Sequence, residues 1–140
     1  MDTTSKPTAG FRELEHTADW ELEVWAPNLP ELLYQAAVGM YALSNVQLEA
    51  SPSTAKTTTI SAADPEELLV SFLSELLFLL EDEGLASDDM DLSIEDDSLT
   101  ADIACKPLVS QGKEIKAVTY HNLSIVKTAA GYRTRIVFDV

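Results

Sequence analysis

Asp64-Pro65-Glu66-Glu67-Leu68-Leu69-Val70-Ser71-Phe72-Leu73-Ser74-Glu75-Leu76-Leu77-Phe78-Leu79-Leu80-Glu81-Asp82-Glu83-Gly84 spells a helix with both of its ends marked. Asp64 is an N-cap acceptor, Pro65 fits a first helical position whose amide needs no partner, and Glu66 and Glu67 sit at the positive end of the helix dipole. Gly84 supplies the stop, so the expected span is Pro65 to Glu83. Leu68, Leu69, Phe72, Leu73, Leu76, Leu77, Leu79 and Leu80 cover well more than one stripe, which predicts a helix enclosed by the fold.

Upstream, Asn28 to Leu43 reads as a second helix with Asn28 as N-cap and Pro30 in its first turn. Leu29, Leu32, Leu33, Ala36, Ala37 and Met40 form a stripe that should face a sheet. Phe11 to Ala26 reads as two extended pieces broken near His16-Thr17-Ala18, and alternation from Asp19 to Ala26 puts Asp19 on the polar face of a strand. Short strands are expected around Val46 to Glu49 and Lys56 to Ser61, where three consecutive threonines disfavour helix.

Downstream, ten acids crowd between Glu81 and Asp102 without the spacing, central glycine or distal glutamate of a calcium loop, and the run reads as a solvated hairpin. Leu99 to Cys105, Lys113 to Tyr120, Leu123 to Lys127 and Tyr132 to Val140 read as strands, with turns at Gln111-Gly112 and Ala130-Gly131. The elements together predict an α+β fold in one domain, two helices packed on an antiparallel or mixed β-sheet. Residues 1–10 are expected to form a flexible N-terminal segment ahead of a domain spanning 11–140.

Composition narrows the function. Apolar residues at 46% can fill a core, while 24 acids against nine bases give a formal charge of −15, a field that repels nucleic acid. Direct RNA binding is therefore not expected. Cys105 is the only cysteine, which excludes an internal disulfide and a cysteine-based zinc site within one chain. No apolar run approaches the length of a membrane span and no leader is legible, so a cytoplasmic protein without a membrane partner is expected. The five glycines, at 10, 39, 84, 112 and 131, are too dispersed for a P-loop or a dinucleotide fingerprint, and no serine sits in a nucleophile elbow.

Three stretches taken in order resemble the archease family: Glu15-His16-Thr17-Ala18-Asp19, Glu114-Ile115-Lys116-Ala117-Val118-Thr119-Tyr120-His121-Asn122-Leu123, and Val137-Phe138-Asp139-Val140. The resemblance covers about residues 11 to 140. The chain departs from the family where Lys106 to Lys113 is short and lacks a histidine, and where Trp20 and Glu21 replace a small apolar pair.

The resemblance implies a non-catalytic protein cofactor of an RtcB-type RNA ligase, an enzyme that joins tRNA halves through a histidine-guanylate and must be re-guanylylated at each turnover. It implies a divalent metal, Ca²⁺ foremost with Mg²⁺ or Mn²⁺ as alternatives, at Asp19, Asp139 and the carboxylate of Val140, and a role in ligase activation for Lys116. The residues themselves leave two readings open. Asp19 and Asp139 are hard oxygen donors at strand ends, suited to such ions, or ordinary surface charges; Lys116 is a contact to the ligase or a solvated strand lysine. His16, Tyr120 and His121 are expected to be structural. A general chaperone or adaptor for RNA-modifying enzymes, presenting an acidic face to a basic partner, is the alternative function.

Overall fold

The structure is a computed structural model that describes residues 8–14 and 20–140. These residues form nine strands and two helices: β1 (Gly10–Leu14), β2 (Trp20–Ala26), α1 (Leu29–Leu43), β3 (Gln47–Leu48), β4 (Thr54–Ser61), α2 (Pro65–Phe78), β5 (Leu85–Glu95), β6 (Ser98–Ser110), β7 (Ala117–Val118), β8 (Val126–Thr128) and β9 (Gly131–Asp139).

Both helices are capped as their sequences dictate. The Asn28 side chain accepts from the Glu31 amide at 2.9 Å and the Asp64 side chain from the Glu67 amide at 2.8 Å, each removing one orphan donor from a first turn. The second helix reaches Glu83 as expected, but its last turn, Leu79–Glu83, is π-helical and ends on Gly84 at φ 65°. That left-handed value is open to glycine at little cost. The wider turn lets both Leu79 and Leu80 stay buried while Phe78 is left 53% exposed.

The strands divide into two antiparallel sheets rather than one. In the first, β2 lies between β1 and β9, and the far edge of β9 pairs with β7 at one end and β8 at the other. In the second, the 13-residue β6 runs between β4 and β5 and meets β3 near its own end. Helix α1 packs on β1, β2, β9 and β5, and α2 on α1, β4 and β7. A single core therefore joins both sheets, with Leu69, Phe72, Leu73 and Leu76 of α2 fully buried in it. Enclosure from several sides explains why α2 is apolar nearly all round.

The acidic run is the β5–β6 hairpin, turning at Asp96, which takes φ 56°. Its inward residues are Leu99, Ala101, Ile103 and Cys105, while Asp89, Asp91, Glu95 and Asp102 are exposed. Asp91 and Asp102 face each other across the strands, a repulsive pairing eased by the Thr57 hydroxyl, which donates to Asp102 Oδ1 at 2.7 Å.

Candidate functional site

The end of β9 gathers the residues that the sequence singled out. Phe138 pairs with Trp20 on one side and Val118 on the other and is fully buried. The next residue, Asp139, pairs with Ala117, and its carboxylate side is exposed. The Asp139 carbonyl accepts the Lys116 amide at 2.8 Å, so Lys116 and Asp139, distant in sequence, meet at one strand end. Lys116 is exposed and Val140 packs partly against the core. Asp19 and His16 lie outside the described residues; β2 begins beside them at Trp20.

The segment leading into Lys116 is fastened at several points. Ser44, the C-cap of α1 and only 2% exposed, donates its hydroxyl to the Lys113 carbonyl at 2.6 Å. Its own carbonyl accepts the Gly112 amide at 2.7 Å. The Lys113 ammonium lies 5.9 Å from the centroid of the Trp20 ring, within cation–π range, and Ile115 is buried at 4% exposed. Neither Ser44 nor Lys113 was singled out from sequence, because a serine after a helix carries no sign of a partner so far along the chain.

Ser44→Ala is expected to cost about 1 kcal/mol, since it strands a carbonyl that water reaches only in part. The melting temperature should fall by roughly 3 °C, and the Gly112 amide should exchange faster. Unchanged exchange at Gly112 would mean that the backbone carbonyl of Ser44 holds this loop without its hydroxyl.

Beyond β7 the chain makes an exposed turn at Tyr120-His121-Asn122. Tyr120 is 57% exposed and His121 is exposed, with Asn122 Nδ2 3.2 Å from His121 Nε2. The expectation that Tyr120 packs is therefore corrected, whereas His121 has its hydrogen-bond partner within the turn. The turn juts out because Asn122 takes φ 54° and the strands expected over Lys113–Tyr120 and Leu123–Lys127 shorten to β7 and β8. Its base is fixed: the Thr119 amide donates to the Val137 carbonyl at 3.0 Å, Glu66 Oε2 accepts the Ile125 amide at 2.8 Å, and the Thr134 hydroxyl donates to the Ser124 carbonyl at 3.0 Å. Glu66, a first-turn acid that also suits the helix dipole, gave no sequence signal of this second task.

The donor chemistry fits a hard cation in kind. Asp139 offers an exposed carboxylate, an oxygen donor of the type that Ca²⁺, Mg²⁺ and Mn²⁺ take. Among the described residues no group of three acidic, histidine or cysteine side chains is assembled, and Asp19 lies outside those residues. Cys105 is buried, and burial pushes its thiol pKa up, which keeps it from acting as a soft ligand.

A sequence profile of the archease protein family matches residues 11–140. The protein archease of Methanosarcina barkeri is 33% identical, over 93% of this chain and 95% of its own. The chain belongs to the archease family. The fold agrees with that of two solved structures. One is Methanobacterium thermoautotrophicum protein 1598, with TM-score 0.72 and 25% identity, covering 94% of this chain and 99% of that one. The other, an archease described as a possible chaperone from Thermotoga maritima, has TM-score 0.70 and 23% identity over the whole of both chains. Two of the three archease-like stretches, Glu114–Leu123 and Val137–Val140, converge at the β7–β9 end. Among the described residues no helix is long and apolar enough to cross a membrane.

Proposed function

We propose that this archease activates an RtcB-type RNA ligase by promoting its guanylylation, with the end of β9 as the working site. Family membership supports the coarser role of a protein cofactor. What supports the finer one is the union of Lys116 and Asp139 through the β7–β9 pairing. In a chain of charge −15, Lys116 is an exposed cation fastened at the end of a strand. Such a cation can meet the phosphate oxygens of a nucleotide held by the ligase.

Asp139, the carboxylate of Val140 and Asp19 would hold the divalent ion, foremost Ca²⁺ with Mg²⁺ or Mn²⁺ as alternatives. A bound ion would add fixed positive charge toward phosphate. The chain's own part is to orient: Ser44 and Ile115 fix the segment, and the Lys116 amide fixes its distance from Asp139. The RNA itself is left to the ligase, because the far field of this chain repels it. The site is expected to operate in the cytoplasm.

The adaptor alternative would use the acidic face of the β5–β6 hairpin, where Asp89, Asp91, Glu95 and Asp102 are exposed, toward basic partners; capture of many such partners rather than one ligase would favour it.

The deciding experiment is guanylylation of a purified RtcB-type ligase over many turnovers, with and without this chain. Stimulation is expected, and its absence overturns the reading. Lys116→Ala is expected to weaken stimulation at least about tenfold while leaving the melting temperature within about 1 °C, as befits an exposed lysine whose amide makes the structural bond. A sharp drop in melting temperature would instead make Lys116 structural.

A further inference from the structure

The distribution of charge along the chain points to a surface of a particular kind. From Ile115 to Phe138 there is no aspartate or glutamate, although the whole chain holds 24 acids, and this stretch carries Lys116, Lys127, Arg133 and Arg135. Acids do face this stretch in space, since Arg135 Nη1 lies 3.9 Å from Glu21 Oε2 and Glu66 Oε2 accepts the Ile125 amide, and Lys116 is the cation that the stretch places at the Asp139 end. The Tyr120 turn projects from this stretch.

Tyr120 combines three properties that an anchor residue needs. It is a large aromatic left 57% exposed, it has a hydroxyl for one directional bond, and its turn is already ordered by the bonds of Thr119, Ile125 and Thr134. A partner closing on it therefore loses little conformational entropy, and tyrosine is among the residues on which binding energy concentrates. The Leu123 amide donates to the Tyr120 carbonyl at 3.0 Å, closing the turn beneath the ring's residue.

We propose that the Tyr120-His121-Asn122 turn is the anchor by which this chain docks on the ligase, with Tyr120 entering an apolar socket that offers a hydrogen-bond acceptor. The inference rests on the ligase reading above and adds to it the contact surface. Continuity with the working site is the argument for this occupant. Lys116 and Tyr120 flank β7, whose two ends are bonded to β9 at Asp139 and Val137. Four residues of extended chain span roughly 13 Å, so a socket gripping Tyr120 brings Lys116 and Asp139 against the partner's nucleotide. Phe78 is exposed to a similar degree, at 53%, but lies at the end of α2 beside Glu81 and Asp82, where the charge opposes such an approach.

The test is the affinity of the full chain for a purified RtcB-type ligase, measured by titration calorimetry alongside melting curves. Tyr120→Ala is expected to weaken binding at least about tenfold with the fold intact, and Tyr120→Phe by less, since it keeps the ring and loses one hydrogen bond. Phe78→Ala should stay within about twofold of the parent. If Tyr120→Ala binds as tightly as the parent chain, or Phe78→Ala is the variant that weakens, the anchor is elsewhere and the ligase reading stands. If the parent chain does not bind the ligase at all, both fall.

Discussion

Asp139→Asn is expected to lower affinity for divalent ions at least about tenfold and to abolish ligase stimulation, with the metal-free fold unchanged. The structure separates the two roles of this residue. Its backbone carbonyl closes the β7 end by accepting the Lys116 amide at 2.8 Å, a bond that asparagine keeps. Its carboxylate stands exposed, and removing one negative charge from a chain of −15 relieves rather than adds repulsion. The variant without metal should therefore melt within about 1 °C of the parent.

The difference should appear when ions are added. A ligand present at about a hundred times its Kd stabilises the folded state by about 2.7 kcal/mol, or roughly 8 °C for a domain of this size. The parent should show such a rise with Ca²⁺, and Asp139→Asn should not. Asp19→Ala and a peptide tag placed after Val140 should behave alike, since each removes or displaces an oxygen donor of the proposed set. No rise for the parent with millimolar Ca²⁺, Mg²⁺ or Mn²⁺, together with normal stimulation by Asp139→Asn, would make these carboxylates ordinary surface charges.

How much of this was legible differs by element, for physical reasons. Both helices could be read because their ends are chemical: Asn28 and Asp64 accept first-turn amides, and glycine at 84 takes a left-handed turn. The π-helical ending had no such mark, since Leu79 and Leu80 suit either geometry. The division into two sheets was hidden because strand pairing is a long-range choice, and the polar alternation of Thr54–Ser61 is compatible with either sheet edge. Two-residue strands such as β7 lie below any periodicity, yet β7 is what joins Lys116 to Asp139. Glu23 shows the converse. Alternation placed it on a polar face, but it is only 3% exposed, with Arg12 Nη2 2.7 Å from its Oε1.

Gly131→Ala is expected to be the most destabilising single-methyl change at the site's supporting hairpin, costing about 3 kcal/mol or more and lowering the melting temperature by roughly 10 °C. Two independent effects add. Gly131 opens β9 at φ 140°, a conformation that residues with a Cβ adopt only under strain. A methyl group there would also fall on the Ala26 carbonyl oxygen and within 2.6 Å of Pro27 Cα, both backbone atoms with no side chain to swing aside. Relief requires the β8–β9 turn to part from the end of β2, and the next residue, Asn28, is the N-cap of α1, so the displacement reaches a helix start as well. Gly112→Ala is the matched control: its added Cβ would lie 3.4 Å from its nearest neighbours, Asn45 Cβ and the Ser44 carbonyl oxygen, and the change should stay within about 0.5 kcal/mol. Thermal unfolding of the two variants side by side checks the contrast. Equal melting temperatures would mean that the β8–β9 turn does not press on Ala26 and Pro27, and that the frame behind Asp139 is looser than the structure has it.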